Sequence, residues 1–139
     1  MIAFDTDVLT EILLGNAAFV ARAAAIPMRE QAVPVIVIEE IMRGRLNVIR
    51  QAEAGIGGAS IARAYELFEE TFRDFRRLHI LSYTTQAETL YQQWRQQGIR
   101  IATHDLRIAA LCIAHPARLI SRNRRDYERV PGLMVEFWE

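Results

Sequence analysis

The chain of 139 residues is 51% hydrophobic and 24% charged, and its 17 basic and 17 acidic side chains cancel to a formal net charge of zero. A chain of this size buries roughly two-thirds of its unfolded surface, so neither disulfides nor a structural metal are needed to hold a core. Every basic residue is an arginine, which excludes a phosphate loop ending in Gly-Lys-Ser/Thr, a Schiff-base lysine and a lysine general base, and neutrality leaves any nucleic-acid affinity to a local patch.

Short apolar runs alternate with helical patterns along the chain, which predicts one α/β domain over residues 1–139 around a mostly parallel sheet. Ile2-Ala3-Phe4 reads as a strand ending at Asp5; Thr6 or Asp7 caps a helix running to about Leu14 before Gly15, and Asn16 caps another. Pro34-Val35-Ile36-Val37-Ile38 reads as a buried parallel strand, followed by helical spacing at Ile41, Met42 and Ile49 and a break from Gly55 to Gly58. From Ala59 onward, Ile61, Tyr65, Phe68, Phe72 and Phe75 form one face of an amphipathic helix, which we assign to the core. His79-Ile80-Leu81 is a short strand, and Thr85 with Glu88 is a capping box for a helix whose inner face is Leu90, Tyr91 and Trp94 and which Gly98 ends. Ile99-Arg100-Ile101 leads to Asp105 at the start of a helix from Leu106 to Ala114, stopped by Pro116. Arg118-Leu119-Ile120 and Leu133-Met134-Val135 complete the strands.

The lone Cys112 reads as a small buried hydrophobe, and His79, His104 and His115 lack the spacing of a zinc site. The N-terminus reaches Asp5 before a signal-peptide core can form, and no apolar run approaches ~18 residues, so the expected setting is the cytoplasm with no membrane contact. Asp5, Glu40, Asp105 and Asp126 each follow an expected strand. In an open parallel sheet the carboxyl ends of the strands face one crevice, so these acids can meet although they are distant in sequence. Converging carboxylates repel, and oxygen ligands without histidine or thiolate suit magnesium or manganese as the remedy.

The segments Phe4-Asp5-Thr6-Asp7-Val8-Leu9, Glu40-Ile41-Met42-Arg43-Gly44, Asp105-Leu106-Arg107-Ile108-Ala109-Ala110 and the stretch from Ser121-Arg122-Asn123 through Arg129-Val130-Pro131-Gly132-Leu133 resemble, in order, the motifs of the PIN-domain family, and VapC-type toxins most. The likeness covers nearly the whole chain. It implies a three-layer α/β/α sandwich and a Mg2+- or Mn2+-dependent endoribonuclease, the toxin of a type II toxin–antitoxin system, acting on RNA with transfer RNA favoured. By the same resemblance Asp5, Glu40, Asp105 and Asp126 are the catalytic metal ligands, supported by Thr6, Asp7 and Asn123. Glu40 is chosen over Glu39 by its spacing to Gly44. Asp7 stands where the family usually has asparagine and Val37 where a threonine or serine is common. Arg122, Arg124, Arg125 and Arg129 are candidate RNA contacts, and the implied partners are a cognate antitoxin and a second copy of the chain.

Two other readings compete. Asp5-Thr6-Asp7 also resembles the start of a haloacid-dehalogenase-type phosphatase, but Val8-Leu9 replaces the small residue and threonine expected there and the later lysine is missing. A non-cleaving PIN-like module that binds RNA or a partner is the alternative of a different class.

Overall fold

The computed structural model describes residues 1–139. In chain order its elements are β1 (Ile2–Phe4), α1 (Thr6–Leu13), α2 (Ala17–Ala24), β2 (Gln31–Pro34), α3 (Val35–Glu53), α4 (Ile61–Phe75), β3 (His79–Leu81), α5 (Thr85–Gln96), α6 (Thr103–Ala114), β4 (Arg118–Ser121), α7 (Arg124–Tyr127) and β5 (Val135–Phe137). The strands form one sheet in the order β3-β2-β1-β4-β5, and every pairing is parallel.

Parallel neighbours need long crossovers, and here helices supply each one. From β1 the sheet grows through β2 to β3; the α5–α6 connection then returns across the sheet to β4, and β5 follows beyond it. Right-handed crossovers running in opposite directions put α1–α4 on one face and α5–α6 on the other, which gives the three-layer α/β/α sandwich. The strands carry the corresponding signature, because neighbours that point to opposite faces, such as Ala3 and Phe4 or Leu119 and Ile120, are all buried. Across α3 and α4, Arg45 Nε donates to Thr71 Oγ1 at 2.9 Å, a polar pin beside an apolar seam. The chain's end is anchored by Trp138, whose ring meets Phe4 edge-on at 6.0 Å and Phe19 at 6.2 Å. No helix is long and apolar enough to cross a membrane. The order of strands reverses between β1 and β4, and beyond their carboxyl ends lies the crevice that such a switch point creates.

Several expected elements are corrected. The run Val35 to Ile38 opens helix α3, and only Pro34 of the expected strand belongs to a strand, β2. Ile36, Val37 and Ile41 bury the inner stripe of that helix, which outweighs the few tenths of a kcal/mol that each β-branched residue costs in a helix. Ile99 to Ile101 forms no strand, and the last strand begins at Val135, past Leu133 and Met134. Asp5, and neither Thr6 nor Asp7, caps α1, accepting from the Thr6 amide. Thr84 caps α5 by accepting from Ala87, while Glu88 accepts instead from the Tyr83 hydroxyl, so the capping box at Thr85 does not form. The α4 stripe is the largest correction: Phe75 is buried, but Ile61, Tyr65 and Phe72 are each more than half exposed.

Candidate active site

Asp5 lies one residue past β1, at the switch point, and is 4% exposed. Its Oδ2 accepts a 2.6 Å hydrogen bond from Ser121 Oγ at the end of β4, and its Oδ1 accepts from the Thr6 amide at 2.9 Å. Burial pushes the Asp5 carboxyl up to about 7; the charges of Asp7 and Asp105 add to the rise, and the Ser121 and Thr6 donors oppose it. Tyr127 Oη stands 3.5 Å from Asp5 Oδ1 and 3.5 Å from Asp105 Oδ1, so one buried phenol spans two acids. Burial, then those two carboxylates, drives the phenol well above its usual range and keeps its proton available for donation.

Helix α3 brings Glu40 to the same end of the sheet, where its Oε1 accepts from Thr6 Oγ1 at 2.7 Å. Glu39 turns outward to Arg43 at 2.7 Å. His104, in the first turn of α6, lies between the two, with Nε2 3.2 Å from Glu39 and Nδ1 3.7 Å from Glu40. Its neighbour Asp105 is linked to Asp126 of α7 through Asn123, whose Nδ2 donates to Asp105 Oδ2 at 3.3 Å and to Asp126 Oδ2 at 3.1 Å. Burial raises the Asp105 pKa, as do the charges of Glu40, Asp126 and Asp7. Asp126 is held below the usual carboxylate range by the Asn123 hydrogen bond and by Arg129. Asp7 braces the floor: it accepts from the Val8 amide at 2.7 Å and from the Arg122 amide at 3.1 Å, and burial raises its pKa.

Asp5, Thr6, Asp7, Glu40, Asp105, Asn123 and Asp126 therefore share one hydrogen-bonded crevice. Within it no three acidic, histidine or cysteine side chains stand as a group able to hold a metal ion. Each carboxylate instead rests on a neutral donor: Asp5 on Ser121, Glu40 on Thr6, and Asp105 and Asp126 on Asn123. The donor set, all carboxylate oxygen with no thiolate, is that of a hard divalent cation, whose charge would offset both the burial and the mutual repulsion that raise Asp5 and Asp105.

The four candidate RNA-contacting arginines differ in their freedom. Arg122 pairs with Glu11 at 3.2 Å and Arg124 with Glu128 at 3.1 Å, the latter also lying 4.4 Å from the centre of the Phe137 ring. Arg129 bridges Asp126 at 2.9 Å and the Arg100 carbonyl at 3.0 Å. Arg125 acts on Asp126 through space, by its charge. Sequence reasoning assigned no role to Ser121, Tyr127 or His104. The first two stand inside the Ser121–Leu133 stretch and the third beside Asp105, so their signal was adjacency to an acid, not residue type.

A family model described as PIN domain matches residues 2–133. Ribonuclease VapC2 of Rickettsia felis is 33% identical over 67 residues, 45% of this chain and 50% of that protein, so the match spans about half the length of that curated relative. Among solved structures, VapBC2 from Rickettsia felis bound to a promoter DNA fragment superposes with a TM-score of 0.76 at 20% identity, covering 100% of both chains. DNA-bound VapBC from Salmonella typhimurium gives 0.75 at 21% identity, again over 100% of both chains. At these identities the structural likeness speaks for the fold.

Proposed function

The chain belongs to the PIN domain family, and from that premise we propose that it is a divalent-metal-dependent endoribonuclease, the toxin of a type II toxin–antitoxin pair. The observation that carries the reading is the crevice itself. Asp5, Glu40, Asp105 and Asp126, from four separated segments, line it with a shared set of donors.

These four carboxylates would hold Mg2+ or Mn2+. When bound, such a cation lowers the pKa of the attacking water and offsets charge developing on the phosphate and the leaving oxygen. The rest falls to the chain's own groups. Ser121 and the Thr6 amide fix both oxygens of Asp5; Thr6 Oγ1 fixes Glu40; Asn123 sets the separation of Asp105 and Asp126. Their function is to hold the acids ready at defined positions, so that little reorganisation is needed when substrate arrives. Tyr127, set between Asp5 and Asp105, holds a phenol proton that it can donate to either carboxylate. Of the arginines, Arg125 is the freest to meet a phosphate of the RNA, with Arg122, Arg124 and Arg129 around it.

Transfer RNA is the favoured substrate, and the cytoplasm is where one domain of residues 1–139 would meet it. A cognate antitoxin and a second copy of the chain are the proposed protein partners. Their support is the apolar surface left open by α3 and α4, where Ile38, Met42, Phe72, Phe75 and Ile80 line a recess of about 330 Å³. A non-cleaving PIN-like module remains the second reading, and the observation in its favour is that the acids do not close into a metal-holding group.

The deciding experiment incubates the purified chain with total and transfer RNA in magnesium, in manganese and in chelator, beside Asp5→Asn. The nuclease reading expects cuts that need the metal and vanish in the folded variant. Absence of cutting in either metal, by protein free of any bound partner, favours the binding module.

A further inference from the structure

Beside the acids, an open cleft of about 510 Å³ is lined by Glu40, Arg43, Gly44, Asn47, Arg50 and His104, with no hydrophobic residue among them. Five of the six come from α3. Spaced three and four apart, they form one stripe that starts at the candidate ligand Glu40 and runs away from it along the helix. In its first two turns α3 turns Ile36, Val37 and Ile41 into the core, and beyond Glu40 the stripe emerges at the surface, where Arg43, Gly44, Asn47 and Arg50 are all exposed.

Gly44 is the informative member. It sits inside a helix, has no positive φ, and a Cβ built on it would meet nothing within 4 Å. A glycine in a helix interior costs about 1 kcal/mol relative to alanine, and here neither backbone conformation nor packing inside the chain requires it. The groove it leaves is open to a ligand from outside. Two guanidiniums flank that groove. Arg43 is tied only to Glu39, in an exposed pair four residues apart, an interaction worth at most a few tenths of a kcal/mol and therefore easily exchanged. Arg50 is exposed and forms no ion pair. Arg43 and Arg50 are separated by roughly 10.5 Å of helical rise, about the span of three stacked nucleotides along one strand.

We propose that this stripe of α3 is a docking track for the RNA strand leaving the scissile phosphate: Arg43 and Arg50 bind backbone phosphates, Asn47 hydrogen-bonds between them, and Gly44 admits the strand against the helix. The track rests on the ribonuclease reading for its direction, since Glu40 marks the end nearest the cut. It reads phosphate, not base, so it sets the orientation of the strand and not its sequence.

The test is binding of a labelled single-stranded RNA oligonucleotide, followed by fluorescence anisotropy between 50 and 200 mM salt, on the Asp5→Asn background with magnesium present. Arg43→Ala and Arg50→Ala should each weaken binding about fivefold and flatten the salt dependence by about 0.7 in log–log slope. Gly44→Leu should weaken binding without lowering the melting temperature. Arg118→Ala, at the opposite end of the sheet, should leave binding unchanged. Parental affinity and slope in all three cleft variants overturn the track, even if the wild-type chain cuts RNA. Parental RNA binding with loss of antitoxin binding also overturns it, and makes the cleft a protein seat. Conversely, weakened RNA binding in a chain that never cuts keeps the track and removes the nuclease.

Discussion

The carboxylate of Asp5 gives up nearly all its water and receives in return a hydroxyl from Ser121 and an amide from Thr6. That exchange falls short, and the group keeps its proton up to about pH 7. Below about pH 4 Asp5 is neutral in folded and unfolded chains alike. Between about 4 and 7 the unfolded chain has lost a proton that the folded chain still holds, so this group's support for the fold is progressively lost as pH rises through that window. Denaturation of the metal-free protein across pH 4 to 8 should show a fall on the order of 4 kcal/mol from this source. Asp5→Asn should flatten the curve; an unchanged slope in the variant would contradict the assignment. Burial of Asp7 and Asp105 adds in the same direction, whereas Asp126, held low, acts oppositely. The acids themselves were legible because a charged residue just after an apolar run is conspicuous. Ser121 and Tyr127 were not, since a serine ending a strand and a tyrosine in a short helix become site residues only once β4 is known to lie beside β1.

Helix and strand boundaries show where local pattern fails and why. Pro34 to Ile38 has the composition of a strand, but the hydrophobic positions continue at helical spacing through Ile41 and Ile49, and the longer period prevailed. The shift matters for chemistry: Glu40 is presented from the second turn of a long helix, a firmer mount than a loop after a strand. On α4 the period was read correctly, and the facing held at Phe75 but not along the rest of the stripe. Ala64, Thr71 and Phe75 face inward, and Ile61, Tyr65 and Phe72 face out, because an amphipathic pattern cannot distinguish a face that meets the chain's own core from one left for a partner. Chemical denaturation separates the two roles. Tyr65→Ser should change stability by no more than about 0.5 kcal/mol, whereas Phe75→Ala should cost about 3–5 kcal/mol. Equal losses would return Tyr65 to the core.

Over the whole molecule, a formal charge of zero conceals a division of labour. Acids gather where the strand order reverses, between β1 and β4, and guanidiniums accompany them in two groups, Arg122–Arg129 in the stretch that carries Asp126 and Arg43 with Arg50 on the helix that carries Glu40. The all-parallel sheet was legible in outline from the alternation of apolar runs and helical stretches, whereas its strand order could not be read from any local segment. That order is what brings residue 5 next to residue 121. The central claim is that the four acids act as one cation site although, without a cation, they stay apart. The most direct measurement is a manganese titration of the purified chain by calorimetry and thermal melting, beside Asp5→Asn and Asp105→Asn. We expect saturable binding that stabilises the fold by about 2.7 kcal/mol at a hundredfold excess over the dissociation constant, and its loss in both folded variants. Failure of the wild-type chain to bind, or undiminished binding in the variants, would contradict the account.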